Sequence, residues 1–127
     1  MARSRRQTFR IRLWTAGSDT NSVFIPFFEA PVSEVTNARI SVLMSSSTGA
    51  IRFRRWVFYS DDGVTWGDDV AFQDSGWVTT TDAWEWGDQF YSADQSRQHV
   101  RYGIYVSNSS GTKSERAVMD VVLDLEE

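Results

Sequence analysis

The chain predicts an all-β fold: a single antiparallel β-sandwich of jelly-roll or Greek-key type, with about eight strands. Three observations predict it. Apolar residues recur at every second position in several separate runs, which is the strand period. No stretch keeps a sustained helical period with caps at its ends. Clusters of Gly, Asn, Asp and Ser separate the runs at short intervals. The 127 residues fit one domain, and a hydrophobic content of 41% is enough to fill one core.

Residues 1–7 read as a flexible basic N-terminal arm, polar and with nothing to anchor it, ahead of one domain spanning residues 8–127. Phe9, Ile11 and Leu13 alternate with Arg10, Arg12 and Trp14, which predicts the first strand. Residues 16–22 hold the turn formers Gly17, Asp19 and Asn21. The apolar run Val23 to Phe28 contains Pro26. A proline cannot donate to a strand ladder, so this run should be an edge strand or a strand end. A connection around Pro31 leads to Ala38, Ile40, Val42 and Met44, alternating with Arg39 and Ser41.

The polar loop of residues 45–50 ends in Thr48-Gly49 and reads as a hairpin turn into a strand beginning at Ile51. The phase of that strand is awkward. Ile51 and Phe53 share one parity, Trp56 and Phe58 the other. A bulge near Arg54 and Arg55 places all four on one face and is the preferred reading. Without it, Phe53, Val57 and Tyr59 turn inward and Arg55 goes with them. Between Trp66 and Ser96 the strand signal weakens, with residues 77–81 more β-prone than 83–91 and with Gly67, Gly76 and Gly87 as punctuation. Regular alternation returns in Val100, Tyr102, Ile104 and Val106, and again in Ala117, Met119, Val121, Leu123 and Leu125. The turn Asn108-Ser109-Ser110-Gly111 between them predicts a closing antiparallel hairpin.

Charge is unevenly placed. Five of the 13 basic residues, Arg3, Arg5, Arg6, Arg10 and Arg12, fall in the first twelve positions. From Trp56 to Ser96 there is no lysine or arginine, while nine acids lie between Asp61 and Asp94. Five of the six tryptophans, Trp56, Trp66, Trp77, Trp84 and Trp86, lie in or beside this segment. An arm of one sign suggests a partner of the other. The candidate partner-binding residues are therefore Arg3, Arg5 and Arg6 on the arm, and Trp77, Trp84 and Trp86 in the acidic segment. One arrangement uses both: the arm of one copy on the acidic surface of the next, in a salt-sensitive head-to-tail homo-oligomer. Phosphate contacts by the arm are the rival use, but the acidic remainder would repel a duplex, so nucleic acid is disfavoured. The bland reading places most of the indoles in the core and the acids in solvated loops.

Chemistry finds little footing. His99 is the one histidine and falls in a predicted strand. There is no cysteine, hence no disulfide and no thiol nucleophile, and neither G-x-S-x-G nor H-E-x-x-H occurs. The pair Asp82 and Glu85 has glycosidase-type chemistry in principle, but acids are too plentiful for one pair to stand out. Calcium at Asp61, Asp62, Asp68 and Asp69 lacks the spacing of an EF-hand loop. The expectation is a protein without catalysis, metal or cofactor. No apolar run reaches the length of a membrane span, and no apolar stretch follows the basic N-terminus as in a secretory signal.

The turn Tyr59-Ser60-Asp61-Asp62-Gly63-Val64-Thr65-Trp66 resembles the strand-and-turn of discoidin-like, galactose-binding-type sandwiches, and Val100 to Val106 looks like a second strand of that family. The resemblance implies that Asp61 bonds backbone amides, Gly63 takes positive φ and Trp66 folds over the strand. The family's disulfide is absent and its sugar-binding loops have no residue-by-residue match. The resemblance therefore implies a fold and, as the alternative function, a carbohydrate-binding module with Trp77, Trp84 and Trp86 as a stacking platform. The whole chain, cysteine-free with a basic arm and many aromatics, also resembles accessory proteins of tailed-phage virions: head decoration, head-fibre or tail components. That likeness implies a structural protein assembled in host cytoplasm and located in the virion. Its partners would be other virion subunits, held by burial of aromatic surface with charge setting orientation.

Overall fold

The computed structural model describes residues 4–15, 22–46, 51–71, 78–79, 81–85, 90–108 and 115–127, with the backbone alone for 15, 46, 68–71, 78–79, 81–85 and 115. The strands are β1 (Ser4–Thr15), β2 (Val23–Pro31), β3 (Asn37–Ser46), β4 (Ile51–Ser60), β5 (Gly67–Ala71), β6 (Val78–Thr79), β7 (Thr81–Glu85), β8 (Tyr91–Ser92), β9 (His99–Asn108) and β10 (Glu115–Glu126). Between β2 and β3, a stretch expected to be plain connection, lies a single 3-10 turn, Val32–Glu34. The strands form two antiparallel sheets. Sheet A has the order β1-β10-β3-β7, with β8 also on β3; sheet B has the order β2-β9-β4-β5, with β6 also on β4. Among the described strands the chain changes sheet at six of nine connections, which is the jelly-roll form of the expected sandwich.

That crossing pattern overturns both predicted hairpins. β3 lies in sheet A and β4 in sheet B; β9 lies in sheet B and β10 in sheet A. A connection of four residues spans roughly 13 Å at full extension. Packed sheets stand about 10 Å apart. Turn-forming residues in a short loop thus permit a crossing as readily as a hairpin.

The core lies between the sheets. Ile40, Val42 and Met44 of β3 and Met119, Val121 and Leu123 of β10 meet Ile51 and Phe53 of β4 and Tyr102 and Ile104 of β9, all of them buried. Each such apolar side chain contributes about 1.5–3 kcal/mol by leaving water. The alternating patterns in β3, β9 and β10 place these residues inward as expected. Pro26 also sits where its missing N–H predicts. β2 is an edge strand, and its register with β9 shifts between Pro26 and Phe28.

The phase conflict in β4 is resolved against the bulge. Its register with β9 runs unbroken from Ile51 opposite Asn108 to Ser60 opposite His99. Phe53, Val57 and Tyr59 face inward, and Arg55 lies among them with 8% of its surface exposed. Its Nε donates to the Ile40 carbonyl of the opposing sheet at 2.8 Å. A bulge would break the ladder between two central strands, whereas a long arginine stem packs against apolar neighbours and its head reaches a carbonyl. Trp56 and Phe58 are consequently turned outward.

The expected arm is also shorter than read. Ser4 to Gln7 belong to β1 and pair in register with Glu126 to Leu123 of β10. Arginines opposite the aspartates of β10 anchor what composition alone marked as loose. Residues 1–3, including Arg3, lie outside the described residues.

Candidate interaction surface

The outer face of sheet B is aromatic. Trp56 and Phe58 from β4, Tyr105 from β9 and Phe24 from β2 form one half-buried cluster. Phe24 meets Phe58 edge-on at 4.7 Å between centroids, and Trp56 meets Tyr105 edge-on at 5.2 Å. Gly103 makes this packing possible. A Cβ there would lie 2.4 Å from the Ile25 carbonyl oxygen and 2.5 Å from the Phe24 ring. Without one, Phe24 settles directly on the backbone of β9.

Arginines frame the cluster. The Arg54 guanidinium lies 4.2 Å from the centroid of Trp56, and that of Arg101 lies 4.1 Å from Trp66. Arg101 also bonds Glu29 at 2.9 Å, and Arg52 donates to the Ser107 hydroxyl at 2.9 Å. A sandwich that met only water on this face would alternate to polar residues here. Rings and guanidinium planes together are the composition of protein–protein contact surfaces.

The outer face of sheet A is an ionic ladder with an apolar end. Arg6 Nε and Arg39 Nη2 both donate to Asp124, at 2.7 and 3.0 Å, and Arg10 Nε donates to Asp120 at 2.8 Å. Burial pushes the Asp124 carboxyl up, but the bonds and charges of Arg6 and Arg39 together outweigh it and hold the group below the usual carboxylate value. Beyond the ladder, Trp14 is 62% exposed and Val118 is 37% exposed. With Arg12, Leu13, Arg116 and Ala117 they line an open concavity of about 500 Å³.

The turn after β4 is self-satisfied. Gly63 has φ of 76°, as the pattern predicts. The residue that bonds the turn amides is Asp62, not Asp61: its Oδ1 accepts from Thr65 N at 2.7 Å and Val64 N at 2.8 Å. Those amides and the Ser60 hydroxyl hold Asp62 down to about 2. Asp61 instead takes Arg97 in a two-point pair at 3.1 Å. Trp66 does fold back, onto His99 and under Arg101. Among the described residues no group of three or more His, Asp or Glu side chains is gathered as a metal site would need.

Of the residues singled out in the sequence, Arg6 is tied to Asp124, and Arg5 is exposed on β1 with its guanidinium 5.5 Å from the Phe28 centroid. Trp84 lies in β7, described by its backbone; Arg3, Trp77 and Trp86 fall outside the described residues. Sequence reading missed the cluster of Phe24, Trp56, Phe58 and Tyr105. The signal was present in β4, where Arg52, Arg54, Trp56 and Phe58 share one parity. An unbroken strand puts that entire set on one face.

No family model and no curated protein matches the chain. Solved structures do. The chain is similar to a structure of infectious bursal disease virus, Gx strain, with a TM-score of 0.56 at 15% identity, covering 100% of this chain and 36% of that one. The infectious bursal disease virus VP2 subviral particle gives 0.54 at 15% identity, covering 96% and 32%. The Gt strain of the same virus gives 0.53 at 15% identity, covering 98% and 38%. The chain thus spans about a third of the length of these neighbours. At this identity the likeness is one of fold.

Proposed function

We propose that the chain is a non-catalytic structural module of a virion, held against neighbouring subunits by its outer sheet faces and strand edges. The observation that carries the reading is the ring-and-arginine face of sheet B, on a jelly roll of the kind that virus shells employ. The fold likeness to a virus particle and to a VP2 subviral particle supports it. In mechanism, aromatic surface leaves water against a neighbour, and the charged groups around it set register and orientation.

The finer proposal is an accessory protein of a tailed-phage head or tail, assembled in host cytoplasm as a homo-oligomer with other virion subunits. It rests on the whole-chain resemblance. The carbohydrate-binding alternative depends on Trp77, Trp84 and Trp86, whose side chains lie outside the described residues, so no observation favours it. The test is the mass and shape of the purified chain at low salt, by sedimentation velocity and negative-stain microscopy. Discrete multi-subunit bodies support the proposal. A monomer at every concentration, with saturable binding on a glycan array, overturns it in favour of the sugar-binding module.

A further inference from the structure

The two edges of sheet A differ in charge. β1, at one edge, carries Arg5, Arg6, Arg10 and Arg12 and no acid. β7, at the other, carries Asp82 and Glu85 and no base. Sheet B lacks this polarity: its edge strands β2 and β5 carry Glu29 and Asp68 with Asp69, again without a base.

β1 is also a long and regular edge, blunted against like copies by its charge alone. It runs for 12 residues without proline and without a register shift. Among the described residues it pairs with β10 alone. Its neighbour β2, whose Phe27 meets Phe9 at 5.5 Å, is guarded by Pro26 and a register shift. The core is open along the same side. Among the described residues, the apolar side chains that pack on the core while only partly buried are Phe9, Ile11, Leu13, Ile25, Phe27 and Phe28, all on β1 or β2.

We infer that copies of this chain associate head to tail along sheet A, the arginine-bearing β1 edge of one copy taking the acidic β7 edge of the next as its strand partner. The inference rests on the assembly reading above and names the partner, a second copy, and the edges that meet. Strand direction suits it. β1, β10, β3 and β7 alternate in direction, so a copy displaced along the sheet presents β7 antiparallel to β1. Pairing β1 with β1 would instead bring like charges opposite one another, which disfavours a two-fold dimer through this edge. A heterologous contact closes into a ring or runs on as an open array, according to the rotation between copies.

The experiment is a charge swap on the full chain, read by sedimentation velocity at low salt. Variant one carries Arg5→Glu and Arg12→Glu; variant two carries Asp82→Arg and Glu85→Arg. Arg6 and Arg10 are left intact because they hold β10. With Arg6 and Arg10 neutralised by Asp124 and Asp120, each variant alone puts like unpaired charges on both edges and should associate at least about tenfold more weakly than the parent. Mixing them restores opposite charges at every junction and should restore assembly, which misfolded chains could not do. Parent-like association of either variant, or no recovery on mixing, overturns the inference while leaving an assembling parent protein as evidence for the broader reading. A parent chain that stays monomeric overturns both.

Discussion

Gly103→Ala probes the aromatic face at its foundation. The added Cβ would stand 2.4 Å from the Ile25 carbonyl oxygen and 2.5 and 2.8 Å from two atoms of the Phe24 ring. The first of these is backbone and cannot swing aside, so β2 must move off β9 and carry Phe24 from its seat. Overpacking of this kind costs about 1–3 kcal/mol. Displacing Phe24 also loosens its contacts with Phe58 and Tyr105, each ring pair being worth about 0.5–1.5 kcal/mol. The expected loss is about 2–4 kcal/mol in urea unfolding, or roughly 10 °C in Tm for a domain of this size. Adding Phe24→Ala to Gly103→Ala should recover part of that loss and no more, because the Ile25 carbonyl stays in place. A loss under about 0.5 kcal/mol for Gly103→Ala would refute the packing described for β2 on β9.

Arg55→Ala should cost about 2–4 kcal/mol by opening a cavity and removing the donor to the Ile40 carbonyl, while Arg55→Met, which keeps the stem, should cost less than half as much; urea titrations of the two decide this. Acid should unfold the protein through Asp62, Asp120 and Asp124. Their folded values lie below the ordinary 3.8, so their stabilisation is present above that pH and is lost as pH falls below it, for Asp62 down to about 2. Asp124→Asn should therefore flatten the acid limb in circular dichroism below the ordinary carboxylate value. At the alkaline end, burial raises the hydroxyls of Tyr59 and Tyr102 above the ordinary 10.0. Their contribution is complete below that value and should be lost above it, so Tyr59→Phe should shift the alkaline midpoint upward. Trp14→Ser and Val118→Ser, at exposed positions, should leave Tm nearly unchanged while weakening association in light scattering.

Fold class and core were legible because alternation directly encodes which side chains share a face. Ile40, Val42, Met44, Met119, Val121 and Leu123 were readable as inward from spacing alone, and Pro26 marked its own edge. Sheet membership was not legible. The short loops after Ser46 and Asn108 look like hairpin turns, yet each carries the chain across the sandwich. Arg55 shows a second limit. Polarity argued for a bulge, whereas the buried carbonyl that accepts its proton belongs to β3 and is invisible in the local sequence. Arg6 shows a third: a basic arm and a strand anchored by Asp124 have the same composition. Asp61 and Asp62 stand side by side, and only backbone geometry assigns the amide bonds to one and Arg97 to the other.

Amide hydrogen exchange along β1, followed as protein concentration rises, tests most directly whether this sandwich meets its neighbours through the open side of sheet A. The account predicts that the β1 amides turned away from β10 exchange quickly in dilute high-salt solution and become protected in step with assembly at low salt. Protection of β1 that does not change while assembly proceeds would contradict it.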